Sequence, residues 1–344
     1  MAAGILRRNE EQRSRPPRFL ALEGGFHGKL AGSVQLTHNE GHRAPFRALA
    51  AQARFVPRDR PEVLKEILAE ERAVLFDVVD GGSVEVVERD FPVFCALLLE
   101  PIQDEGGIHV VSREFAEEIR RFCDEIDCPV IIDEIQSGMG RTGALLAGSH
   151  IGLRGDYYTL AKTLGGGIAK ASVMLVRRAR CRREFEIVHS STFAKDSFSC
   201  HIAPKVLELL EADGGRAYRQ AEERGEALRA MLESLRAEFP DVLAEVRGRG
   251  LMLGLEFRDQ SDSSSRVLRD AARGGMFGYV VAGHLLRRHR IRTFPTASAV
   301  DTLRFEPSLH LTDEEIGRLE TALRDVCGIL RDQDGDRLDL PAGD

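Results

Sequence analysis

The chain is poor in lysine. Only six of its 48 basic residues are lysine, and the rest are arginine. Tryptophan is absent and methionine occurs six times, which decides nothing. No run of about 18 apolar residues occurs, which excludes a membrane-spanning helix, and Met1–Arg8 lacks the long apolar core of a secretory signal. The six cysteines, Cys95, Cys123, Cys128, Cys181, Cys200 and Cys327, form no C-x-x-C pair. That argues against a disulfide framework or a zinc site built on cysteine and for reduced thiols in a cytoplasmic protein. An excess of positive charge is also missing. The net charge is -7, and the basic cluster from Arg177 to Arg183 is offset by acidic stretches, so a nucleic-acid surface is not the main business of the chain. There is no internal repeat and no low-complexity segment.

A length of 344 residues and a hydrophobic fraction of 43% are enough for one large α/β domain and a smaller one. Short apolar runs alternate with helical periodicity up to about residue 210. Arg18–Glu23, Phe94–Glu100, Pro129–Glu134, Tyr157–Leu160 and Ala171–Val176 read as strands, and Glu114–Asp124 reads as a helix with Phe115, Ile119 and Phe122 on its apolar face. Uninterrupted runs such as Phe94–Leu99 suit strands covered on both faces, and the alternation implies a largely parallel sheet built from βαβ units. Further on, 201–238 reads as mostly helical and 242–257 as strand, turn, strand. Helix with a break at Gly274-Gly275 is expected over 267–290, then a strand at 302–306 and a helix capped by Thr312. The expected division is a large domain over 1–210, a small α+β domain over 211–331 and a polar tail over 332–344.

Lysine scarcity makes Lys162 conspicuous. It closes the apolar run Tyr158-Thr159-Leu160-Ala161 and precedes Gly165-Gly166-Gly167. Lysine can form a Schiff base or lose its proton near neutral pH, whereas arginine does neither. A lysine at a strand end beside glycines is a candidate covalent anchor for a carbonyl cofactor, the alternative being a surface lysine in a turn. Asp133 ends another apolar strand with no basic neighbour in sequence. It is either a cap for the next helix or the partner of a cation outside the chain, such as a pyridinium nitrogen. Glu100, Asp133 and Lys162 all fall at carboxyl ends of expected parallel strands, where ligands of such sheets bind.

Three blocks then resemble the class-III (omega) aminotransferases: Glu100-Pro101-Ile102-Gln103-Asp104-Glu105-Gly106-Gly107, Ile132–Gly143 and Leu160–Gly167. Gly25-Phe26-His27-Gly28-Lys29, Ser190-Ser191-Thr192-Phe193 and Arg304–Leu309 agree in order and spacing, and the resemblance spans roughly residues 16–330. It implies a fold-type-I transferase dependent on pyridoxal 5'-phosphate, with a large cofactor-binding domain and a smaller C-terminal α+β domain. By this resemblance Lys162 carries the cofactor as a Schiff base and moves the substrate proton, and Asp133 pairs with the ring nitrogen. Phe26 stacks on the ring, and Gln136 reaches its phenolic oxygen. His27 and Glu100 belong to the cofactor-binding set, and Ser191 and Thr192 offer donors to the phosphate across a dimer interface. Glu105 and Arg304 resemble a pair that gates substrate carboxylate binding. The implied partners are a small-molecule amino donor, a 2-oxo acid acceptor and a second copy of the chain, without nucleic acid, membrane or metal.

The same resemblance implies that the chain is truncated at its N-terminus, lacking a Gly-Ser/Thr-x-Glu-Ala loop that cradles the phosphate, with Met1–Arg8 as the tail of the helix after it. Asp104 stands where the family usually has glycine, and Lys195-Asp196 replaces a small-residue stretch. A decarboxylase or racemase using the same cofactor, or a remnant that folds without holding it, would carry the same motifs.

Overall fold

A six-stranded sheet positions the strand ends singled out above. The computed structural model describes residues 2–49, 53–89, 94–189, 191–192, 194 and 196–338. Arg18–Leu22, Ala53–Val56, Phe94–Leu99, Val130–Asp133 and Tyr157–Leu160 pair in parallel, so their carboxyl ends share one edge. The register sets Leu99 against Ile132 and Asp133 against Thr159. Val173–Val176 pairs with Tyr157–Leu160 antiparallel at the sheet margin, so the strand expected at 171–176 is shorter and reversed. Residues 161–172 join the two through a short turn at Lys162–Gly165, without the helix that a parallel crossover usually carries.

The core around this sheet joins Leu20, Leu22, Leu97, Leu99, Val130 and Ile132 to the buried face of the helix Arg113–Glu125. That face carries Phe115, Ile119 and Phe122 at helical spacing, and Ser112 caps the helix by accepting the Phe115 amide at 3.1 Å. Outside the expected pattern lie the strand Ala53–Val56, the helix Glu62–Glu70 and the hairpin of Ala73–Val78 with Val84–Arg89. The chain begins with a helix over Ala2–Arg13, whose Asn9 exchanges two hydrogen bonds with the backbone of Phe76.

Helical structure runs over Ser197–Glu238 but leaves helical geometry at Ala212–Gly215, where Asp213, Gly214 and Gly215 take positive φ. Beyond it stands a second, antiparallel sheet in the order Leu243–Arg249, Met252–Phe257, Thr302–Phe305, Phe294–Pro295. Helices Arg266–Arg273, Phe277–His289 and Asp313–Arg331 cover it, with a separate core of Leu253, Leu255, Phe277, Leu323 and their neighbours. Thr312 and Glu315 form the expected capping box. Residues 332–338, expected as a polar tail, instead end in a short turn that buries Leu338 in this core. Polar contacts dock it together with that side chain: Gln333 Oε1 accepts the Ser264 amide at 3.1 Å, and Arg287 Nη2 donates to the Leu338 carbonyl at 3.4 Å. Among the described residues no helix is long and apolar enough to cross a membrane.

Candidate active site

Asp133 lies at the carboxyl edge of the parallel sheet and is 7% exposed. Its Oδ1 accepts hydrogen bonds from Thr159 Oγ1 at 3.1 Å and from the Ile135 amide at 3.2 Å. Its Oδ2 lies 2.9 Å from Nδ1 of His27. A carboxylate only accepts, so that imidazole nitrogen carries the hydrogen. The chain thus supplies Asp133 with a hydrogen-bond partner from 106 positions away.

The loop bearing Phe26 and His27 is fixed from below. Glu100, at the end of the Phe94–Leu99 strand, accepts the Phe26 amide at 2.8 Å and the Asp104 amide at 3.2 Å. Burial, with Asp133 adding like charge, raises its carboxyl well above the ordinary carboxylate range. Both Glu100 oxygens are thus engaged by backbone, and Glu100 supports the Phe26 loop. The His27 amide donates to Thr37 Oγ1 at 2.9 Å, and Gln103 Nε2 donates to the Glu23 carbonyl at 2.8 Å. Gly106 is held so close to Gly24 that a Cβ there would lie 2.3 Å from the Gly24 carbonyl oxygen. The half-buried Phe26 ring meets His42 edge-on at 5.8 Å.

Lys162 opens a tight turn directly after the Tyr157–Leu160 strand and Ala161. Its φ of 46° lies in the left-handed region, which a side chain occupies only when its surroundings hold it there. Leu164 of the same turn is buried with Met139, Leu160 and Leu210. The Lys162 side chain is 53% exposed, and its Nζ lies 4.0 Å from Asp104 Oδ2.

That contact joins Lys162 to a cluster of charges. Arg304 Nη1 donates to Asp104 at 2.9 and 3.1 Å and to Glu105 Oε1 at 3.0 Å, while Glu105 Oε2 accepts the Ala297 amide at 2.7 Å. Gln136 Nε2 donates to both oxygens of Glu306 at 2.5 and 2.6 Å. Two cations, Lys162 and Arg304, thus share a neighbourhood with three acids, Asp104, Glu105 and Glu306. Burial raises the Asp104 carboxyl to about 6, reinforced by Glu306 and Glu105 and opposed by Arg304 and Lys162. The Arg304 guanidinium is held above its ordinary value: burial works against the charge, and Asp104 and Glu105 outweigh it.

The structure thus links Phe26, His27, Glu100, Asp133 and Thr159 in one hydrogen-bonded group, and Lys162, Glu105 and Arg304 in another that includes Asp104. Gln136 belongs to the segment after Asp133 and is tied to Glu306. Ser191 and Thr192 are exposed and make no described contact with either group. Ser190, Phe193 and Lys195 lie outside the described residues. Sequence reasoning missed the His27–Asp133 pair, Glu306, and Glu134. Glu134 is fully buried and takes the Ser137 hydroxyl and the Ala147 and Gly148 amides at 2.7–3.0 Å. A second acid immediately after a strand-ending aspartate was the available signal for Glu134.

The residues present suit a flat, polar, partly cationic group. His27 Nε2 and Gln136 Oε1 are buried with no partner among the described residues. Leaving such atoms unpaired costs about 1–3 kcal/mol each, which a polar ligand would relieve. Asp133 keeps accepting capacity beyond its present bonds, Phe26 offers an aromatic ring, and Lys162 offers an amine.

A profile of the aminotransferase class-III family matches residues 2–326. The ornithine aminotransferase of Toxoplasma gondii ME49 is 22% identical with a TM-score of 0.73, and the match covers 96% of this chain and 71% of that one. An amine transaminase from an uncultivated Pseudomonas species, solved in a PLP-bound form, is 23% identical with a TM-score of 0.71 and coverages of 95% and 73%. The ornithine delta-aminotransferase of Plasmodium falciparum gives 19% identity, a TM-score of 0.64 and coverages of 96% and 71%.

Proposed function

The chain belongs to the class-III aminotransferases, a pyridoxal-phosphate-dependent family, and from that premise we propose that it moves an amino group from an amine or amino-acid donor to a 2-oxo acid, with Lys162 as the covalent attachment point of the cofactor. The observation that carries the proposal is the shared sheet edge. A buried Asp133 ends one parallel strand and accepts a hydrogen bond from Thr159 of the next, and Lys162, held in the left-handed region, opens the turn directly after that second strand. When bound, the cofactor supplies an aldehyde for attachment and a ring that withdraws electrons from the bond being broken.

The chain's own residues would then divide the work. Asp133, oriented by His27 and Thr159, holds a proton on the ring nitrogen. Phe26 would hold the ring by stacking, and Gln136 would orient its oxygen substituent. Lys162 would hold the cofactor and supply the amine that moves the proton of the donor carbon. Arg304 binds a substrate carboxylate, and Glu105 neutralises Arg304 when the substrate end is an amine. Ser191 and Thr192 contribute phosphate donors to a partner subunit. Exposed apolar residues along 168–209, including Ile168, Met174, Ile187, Val188, Phe198 and Leu209, support a second copy of the chain as that partner.

Borohydride reduction of the protein incubated with pyridoxal phosphate, followed by peptide mapping, tests the assignment. The expected result is a single adduct on Lys162 that disappears in Lys162→Ala along with the near-visible absorbance. An adduct on another lysine, or an unchanged band in the variant, would refute it.

A further inference from the structure

We propose that His284, His289 and Asp325 form a binding site for a divalent transition-metal ion of the zinc class, separate from the candidate active site. The helix Phe277–His289 carries His284 on its buried face and His289 as its last residue, and the helix Asp313–Arg331 carries Asp325. The two helices pack through Val281, Leu285, Ala322 and Val326 in one core, which fixes the approach of the three side chains. Asp325 Oδ2 lies 3.1 Å from His284 Nε2 and 2.9 Å from His289 Nε2, and the three atoms all fall within 4.8 Å of one another.

Two imidazole nitrogens and one carboxylate oxygen are a donor set that zinc and its neighbours in the first transition row accept. Zinc–ligand distances of about 2.0–2.2 Å place tetrahedral donors about 3.3–3.6 Å apart, a few tenths of an ångström longer than the two spacings to Asp325. Arg337 Nη2 lies 3.3 Å from the other oxygen, Asp325 Oδ1. It would orient the carboxylate from behind and leave Oδ2 free, as outer-shell partners of metal ligands do. Its positive charge also weakens the site, so binding is expected to be reversible on dialysis against a chelator. His284 is almost fully buried, while His289 and Asp325 keep 21% and 29% of their side-chain surface, which gives an ion an entry path and leaves a coordination position for water. None of the three residues has a described contact with Asp133, Lys162 or Arg304. A bound ion would join the two helices and stabilise the native state by mass action.

Cobalt(II) is the probe. The full chain, stripped with a chelator, is titrated with Co2+ and followed in the visible range. The expected result is one equivalent of a d–d band without a sulfur-to-cobalt charge-transfer band, displaced by Zn2+, with a higher melting temperature on Zn2+ addition. His289→Ala and Asp325→Asn, both at partly exposed positions, should each abolish the band, and Lys162→Ala should keep it. Absence of the band in the unaltered chain, its persistence in both site variants, its loss in Lys162→Ala, or a thiolate charge-transfer band would overturn the proposal.

Discussion

Asp104 decides much of the electrostatics around Lys162 and Arg304. Its carboxyl rises from 3.8 to about 6, chiefly through burial. Below about pH 4 it is protonated in both the folded and the unfolded chain. Between about pH 4 and 6 only the unfolded chain releases the proton, so native stability falls as pH rises through this window. A shift of about two units is worth about 3 kcal/mol. Asp104→Asn removes this dependence, so the variant should gain about 3 kcal/mol on the unaltered chain between pH 4 and pH 7. Urea denaturation at both pH values measures it, and a stability difference that stays constant across the window rejects the account. At this scale the sequence pointed to candidate groups and was a poor guide to their partners. Lys162 and Asp133 could be singled out by type and position, and Arg304 only through the family resemblance. Asp133 nevertheless gained His27 from 106 residues away, and Arg304 gained Asp104 from 200. No local pattern encodes such pairs, because strand order creates them.

At the scale of elements, two glycines with opposite surroundings test how closely the loops are joined. A Cβ on Gly106 would collide with the Gly24 carbonyl, and neither backbone can yield without moving the loop that carries Phe26 and His27. Gly106→Ala should therefore cost about 1–3 kcal/mol, the usual range for overpacking. Gly317, exposed in the helix Asp313–Arg331, would place its Cβ in open space. Gly317→Ala should stabilise by about 0.5–1 kcal/mol through helix propensity. Both are read from the midpoint of urea unfolding, and equal shifts in the two variants would show that the contact at Gly106 is not tight. Apolar runs and caps announced the Phe94–Leu99 and Val130–Asp133 strands and the Thr312 capping box. The antiparallel course of Val173–Val176 was not legible, since an apolar run has the same composition in either direction.

At the scale of the whole molecule, the exposed apolar residues at 168–209 call for a cover. Ile187 and Val188 are 81% and 79% exposed, and large apolar surface in water favours association. The proposed pairing of two copies predicts a dimer in light scattering after size-exclusion chromatography that Ile187→Glu combined with Val188→Glu converts to monomers. A dimer that survives both charges would place the interface elsewhere.

By itself the sequence determined the class of fold and the family, and it named candidate residues for the chemistry. Apolar periodicity and ordered motifs are local properties of a chain. Only the tertiary structure decided that Glu100 props the Phe26 loop, that His27 orients Asp133, and that Asp104 stands between Lys162 and Arg304. It also brought His284, His289 and Asp325 together from two helices. The physical reason is that burial and strand pairing choose the partners of charged groups from across the whole chain, and the cost of leaving a buried charge unpaired enforces the choice.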